Sequence, residues 1–290
     1  MSGTCSQGLD SSFVALGYGK VAVLGVVQGI TELMPISSSA HMRIVPALLG
    51  WPDPGAAFSA AMQLAALVAV VSYFWTDVET LSVGAVTALI RRDFANRQLR
   101  LVFWIALSTI PIVVAGWALS PILNACNSPL RSLYVIGASS IVMALLLAMA
   151  EVMARHVRTL QDVKLTDALT IGIAQVGALI PGVSRSGSTL TAALFLGLKR
   201  VEAARFSFLL GLPAIMLAGG KELWELYKVH LDAHGWSVLA VGLATGSVAA
   251  FFAIWGLLRI LEKFSSWPFV VYRGLIGLLL LVGAATGLFT

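Results

Sequence analysis

The chain has 290 residues, 58% hydrophobic and 11% charged, and a formal net charge of +5. A soluble domain carries about a quarter charged residues, so this composition excludes a water-soluble enzyme and predicts an integral membrane protein. The basic excess does not imply nucleic acid, because Lys and Arg concentrate in the cytoplasmic loops of membrane proteins.

Residues 1–13 lack the basic start and cleavage site of a signal peptide, so the apolar spans are expected to target the chain. A first apolar stretch, about 17–50, is interrupted by Pro35-Ile-Ser-Ser-Ser39. Full spans are predicted at about 56–75, 101–119 and 131–150. A second interrupted stretch, about 167–198, contains Pro181-Gly-Val-Ser-Arg-Ser-Gly-Ser188. Three more spans follow at about 202–220, 236–258 and 269–288. Non-helical backbone survives at membrane depth only inside protein or beside a wet cavity. Each interrupted stretch therefore reads as a re-entrant helix–loop–helix. The expected fold is an all-α polytopic membrane protein of about six transmembrane helices and two re-entrant elements, one domain over 1–290. Cys5 and Cys126 lie far apart and suggest neither a metal site nor a disulfide framework.

Basic loops orient the spans. Arg91 to Arg100, Arg155 to Lys164, Lys199 to Arg205, and Arg259 with Lys263 mark the inner side. Residues 120–129 carry no charge and 221–235 mix signs, which places them outside together with the C-terminus. The halves also resemble each other. Gly25 and Gln28 recur as Gly172 and Gln175, and Ser37 and Ser39 as Ser184 and Ser186, all 147 positions on. Phe58-Ser59 recurs as Phe206-Ser207. Pseudo-repeat A, about 17–150, and pseudo-repeat B, about 167–288, would then be an inverted repeat, with a site where the broken helices meet.

The polar loops carry the chemistry. Gln28 and Glu32 are spaced i, i+4 and share one helical face. A carboxylate within a membrane segment is costly and faces a cavity or a partner; an ion pair with Arg185 is the structural alternative. Ser37, Ser38, Ser39 and His41 follow, supplying hydroxyls and an imidazole that can move a proton. Spacing does not decide which serine matters. The second loop sets Arg185 among small residues where backbone N–H groups and a helix start can hold an anion. Arginine's planar fork matches two phosphate oxygens. A carboxylate, hydroxyls, an imidazole and an anion cradle together suit phosphoryl transfer, on a phosphorylated lipid arriving through the bilayer.

The stretch Gly25-Val-Val-Gln-Gly-Ile-Thr-Glu-Leu-Met-Pro-Ile-Ser-Ser-Ser-Ala-His41, with Pro181 to Thr189, resembles the paired signatures of the bacterial undecaprenyl-pyrophosphate phosphatases of the bacitracin-resistance type. Ala57–Trp75, Ser108–Pro111, Phe206–Leu210 and Pro268–Arg273 share that family's look. The resemblance implies hydrolysis of undecaprenyl pyrophosphate to the monophosphate and phosphate, recycling the carrier for peptidoglycan. It implies an inner-membrane, multi-pass enzyme with an outward-facing site and a divalent cation, Mg2+ or Ca2+, for which Glu32 is the candidate ligand. By position, Ser38 matches the nucleophile, His41 the acid/base and Arg185 the phosphate binder. Gln28, Ser37, Ser184, Ser186 and Thr189 would line the pyrophosphate pocket. Many members have Glu where this chain has Gln28, which leaves Glu32 as the only carboxylate of the two motifs. The expected partners are a polyprenyl pyrophosphate and the bilayer, without nucleic acid and with a homodimer left open.

Two rival classes frame the reading. A flippase or transporter of an anionic lipid or small anion would use the same scaffold. A phosphohistidine lipid phosphatase needs a His after its Ser-Arg pair, and none occurs between Ser186 and Arg200.

Overall fold

The computed structural model describes residues 12–123, 129–228 and 230–287. Cys5 and Cys126 lie outside them. The described chain is helical: α1 (Gly17–Leu33), α2 (Ser38–Leu48), α3 (Ala56–Ala61), α4 (Gln63–Tyr73), α5 (Trp75–Ile90) and α6 (Arg97–Leu123). There follow α7 (Leu133–Met153), α8 (Leu165–Val176), α9 (Arg185–Phe195), α10 (Arg200–Lys228), α11 (Ala233–Lys263) and α12 (Trp267–Thr286). Six helices are long and apolar enough to cross a bilayer: Ser12–Leu33, Arg97–Ile122, Leu133–Met153, Arg200–Lys228, Ala233–Lys263 and Trp267–Thr286.

Five of these coincide with expected spans, and the sixth expected stretch differs in shape. The stretch 56–75 is helical over Ala57–Tyr73 and forms a sharply bent pair with Trp75–Ile90. It breaks near Met62, bends by 81° at Phe74 and continues as α5, where no helix was expected. No Pro or Gly marks the bend. Instead Phe74 is buried against Phe208 of α10, and Arg205 lies over its ring and pairs with Asp77 at 2.8 Å. Anchoring to α10 on both sides of the turn redirects the helix, an effect that hydropathy cannot register. The first arm of the first re-entrant stretch is, conversely, long enough to cross by itself once the turn Ser12–Leu16 is included.

Both interrupted stretches break where proline requires it. Met34 precedes Pro35 and is extended, at φ −74°, ψ 146°. Ser37 then takes φ 72°, and in the second stretch Gly182 takes φ 96° and Ser184 φ 70°. A non-glycine residue at positive φ is strained, and such strain clusters at functional sites. Here the strained serines are the matched pair 147 positions apart.

Contacts assign each helical hairpin to one end of the molecule. Tyr18 of α1 bonds His234 and Ser237, and Lys20 lies over Trp51 just past α2. At the other end, Arg158 reaches Asp167 of α8 and the Leu196 carbonyl beyond α9. The same end gathers Arg97 with Gln161, and Arg200 with Glu151, which also binds Ser266. The hairpin α1–α2 thus enters from one end, α8–α9 from the other, and their loops meet inside.

Small residues make that depth accessible. A Cβ on Gly25 would lie 2.5 Å from the Gly242 carbonyl, and on Gly29 2.2 Å from that of Gly246. Two glycine pairs, each at a spacing of four, let α1 and α11 pack backbone to backbone.

Candidate active site

The site forms where the N-termini of α2 and α9 come together. Both are 11-residue helices preceded by a strained serine. Their first N–H groups have no intrahelical acceptor and carry the positive end of the helix dipole. The loops interlock through side chains: Ser186 Oγ donates to the carbonyls of Glu32 and Met34, at 3.1 and 3.0 Å, and Gly182 N–H donates to Ser39 Oγ at 3.2 Å.

Glu32 lies at the centre, on the last turn of α1. Its Oε2 accepts from Ser38 Oγ at 2.6 Å and from Gln28 Nε2 at 3.0 Å. Its Oε1 faces Arg185 Nη2 at 3.4 Å. The i, i+4 spacing of Gln28 and Glu32 therefore does bring them together. Glu32 pairs with the arginine, as the structural alternative has it, and also accepts from a serine.

Arg185 is loosely held. The contact with Glu32 is long, and its Nε and Nη1 are buried with no hydrogen-bond partner among the described residues. Gln28 Oε1 is likewise buried without a donor, as are both amide atoms of Gln175. Unpaired buried donors are costly; in Arg185 they leave an edge that can accept an anion next to two helix N-termini.

The remaining predicted residues divide. Ser38, Ser39, Ser184 and Arg185 retain exposure at the mouth of the paired helices. Ser37 is buried and bonds Ser39 Oγ, and Ser184 caps α9 by accepting from Gly187 N–H. Ser186 serves as the latch between loops. Thr189 is fully buried and turned to Ser207 and the Arg185 carbonyl. Its hydroxyl braces α9 against α10 and does not line the mouth.

His41 has both ring nitrogens engaged away from Ser38. Nδ1–H donates to the Ser37 carbonyl at 2.8 Å, which leaves Nε2 to accept from the Tyr272 hydroxyl at 2.7 Å. Tyr272 lies parallel to the imidazole at 5.7 Å. The acceptor at Ser38 is Glu32.

Two residues of α12 lie in a stretch that shares the family's look but were given no role from the sequence. Tyr272 is one, and Arg273 is the other. Arg273 is 1% exposed and bonds the carbonyls of Pro35, Gly182, Val183 and Ser140. It holds both loops from beneath. The available signal was a lone arginine near the start of an apolar span, a position that demands buried acceptors.

Comparisons with known proteins give the chain's relatives. The protein named undecaprenyl-diphosphatase 2 of Mesorhizobium japonicum is 73% identical over 261 residues, covering 90% of this chain and 99% of the relative. The undecaprenyl-diphosphatase of Synechococcus elongatus is 49% identical, covering 96% of each chain, and that of Gloeobacter violaceus 50%, covering 94% of each. The family model described as bacitracin resistance protein BacA matches residues 21–279. That match takes in both loops, Arg273 and nearly every described helix, so the chain belongs to the bacitracin resistance protein BacA family.

Proposed function

We propose that this protein hydrolyses undecaprenyl pyrophosphate to undecaprenyl phosphate and inorganic phosphate, recycling the lipid carrier for peptidoglycan and conferring bacitracin resistance. One observation carries the reading: a serine hydroxyl 2.6 Å from a buried carboxylate, beside an arginine with unpaired donors. A binding protein or flippase needs the arginine but has no use for an activated hydroxyl.

In the proposed reaction the terminal phosphate lies against Arg185 and the N–H groups opening α2 and α9. Ser38 Oγ attacks its phosphorus as its proton passes to Glu32 Oε2. The bond to the bridging oxygen breaks, and the lipid monophosphate leaves with those electrons. Water then attacks the phosphoserine, Ser38 Oγ departs and recovers its proton from Glu32, and the water's proton leaves with phosphate. His41 holds the Ser37 turn that presents Ser38, with Tyr272 fixing its tautomer.

Among the described residues no three His, Cys, Asp or Glu gather as a metal cage. The donors present are Glu32 and the unpaired amide oxygen of Gln28. Hard oxygen donors of that number suit a Mg2+ or Ca2+ that completes its shell with phosphate oxygens and water. Glu32 and Gln28 would hold such a cation, which would supply charge neutralisation of the phosphates.

We further infer that the halves, about 17–150 and 167–288, form an inverted repeat. The opposed hairpins, the matched strained serines and the matched bonds Ser37–Ser39 and Ser184–Ser186 support it. The basic end of the bundle would face the cytoplasm of the inner membrane, with the site opening outward as the resemblance implies.

Purified protein is expected to release phosphate from undecaprenyl pyrophosphate, and Ser38→Ala to stop it. Lipid transport without phosphate release would overturn the proposal. Arg185→Lys is expected to lower kcat/KM by about 10- to 100-fold, the loss of one charge-assisted hydrogen bond. Unchanged kinetics would reduce Arg185 to a structural counter-ion.

A further inference from the structure

A glycine inside a helix weakens it relative to alanine, so Gly211, buried within α10, needs a reason. A Cβ there would stand 2.0 Å from Arg185 Nη1 and 2.8 Å from its Cζ. The guanidinium rests on bare helix backbone. Gly187 treats the other buried arginine in the same way, with a Cβ that would lie 2.6 Å from Arg273 Nη1.

The two arginines differ in how they are held. Arg273 is fixed by four backbone carbonyls drawn from α7 and both loops. Arg185 has only the 3.4 Å contact with Glu32, and two of its nitrogens have no acceptor among the described residues. A methyl group at position 187 would meet a guanidinium that cannot move. One at position 211 would meet the free end of a flexible side chain, which can.

From this contrast we infer that Gly211 is the positioning residue for Arg185. Its missing side chain sets where the guanidinium stands, and so which pyrophosphate oxygens it reaches. The inference rests on the assignment of Arg185 as the phosphate-binding group. It predicts an uncommon separation of effects: alanine at 211 improves the helix and harms the site, because the arginine yields rather than the fold.

The test uses the purified full chain, with three readouts. These are phosphate release from a polyprenyl pyrophosphate, affinity for a non-hydrolysable prenyl methylene-bisphosphonate, and Tm. Gly211→Ala is expected to lower kcat/KM and analogue affinity at least about tenfold, since a displacement near 1 Å costs about 100-fold, with Tm at or above wild type. Gly187→Ala is expected to lower Tm. In analogue affinity, the double variant Gly211→Ala/Arg185→Ala should match Arg185→Ala within about twofold, as residues acting through one group are not additive.

A Gly211→Ala protein that fails to fold would overturn the inference. So would one that binds the analogue like wild type while Arg185→Ala does not, or a double variant far weaker than Arg185→Ala. Wild-type affinity and kinetics in Arg185→Ala would instead remove the assignment of Arg185, and the inference with it.

Discussion

Glu32→Gln is expected to reduce phosphate release from a polyprenyl pyrophosphate by about 100- to 10,000-fold, the range for loss of a general base. The substitution preserves size and removes the charge. Ser38 Oγ would still have an oxygen or nitrogen within reach, so the hydrogen bond can survive, but an amide cannot take the proton that attack on phosphorus releases. The backbone carbonyl of residue 32, which receives Ser186 Oγ, is untouched, so both loops should remain latched and Tm should stay near wild type. Arg185 would lose its counter-charge, and affinity for the bisphosphonate analogue, measured without divalent cation, should hold or rise. That combination, tight binding without turnover, separates a base from a residue that merely balances Arg185. Activity within tenfold of wild type would give the proton of Ser38 to another group.

Arg273→Met is expected to be the most damaging single change to the fold around the site. Its guanidinium is the donor to the Pro35 and Val183 carbonyls, in opposite loops. Methionine fills similar space and leaves both acceptors buried and unpaired, at about 1–3 kcal/mol each. Removing a buried charge offsets part of that, because Arg273 has carbonyls and no carboxylate around it. Activity has no such offset. The carbonyls set the turns that present Ser38 and Arg185, and a displacement near 1 Å there costs about 100-fold in rate. Thermal unfolding and phosphate release on one preparation check both halves of the expectation. A variant with wild-type Tm and turnover would make Arg273 a bystander. Arg273→Lys should fall between, since three donors from a point cannot span acceptors spread over α7 and both loops.

The contrast between these two residues shows what could be read along the chain. Glu32 was legible because its signal is local: a carboxylate four residues from Gln28, in an apolar stretch that ends at a proline. Arg273 was not, because its partner Pro35 lies 238 positions away and nothing in α12 announces which carbonyls it will meet. The same distinction separates Pro35 from Phe74. Proline breaks a helix by its own covalent structure, so both loops were placed correctly. Phe74 bends a helix only through Phe208 and the pairing of Arg205 with Asp77, so the helix over 56–75 was expected but its sharp turn into α5 was not.

By itself, then, the sequence determined the solvent, the two loops and the residue types at their tips. Composition, proline and i, i+4 spacing are properties of neighbours along the chain. Only the tertiary structure decided which acceptor the Ser38 hydroxyl bonds, which hydroxyls bond inward and which arginine keeps unpaired donors among the described residues. By motif, Ser186 and Thr189 looked like pocket residues and His41 like the acid/base. They became a latch, a brace and a turn support because hydrogen bonds in a membrane interior are assigned by whichever acceptors the packed helices leave within about 3 Å.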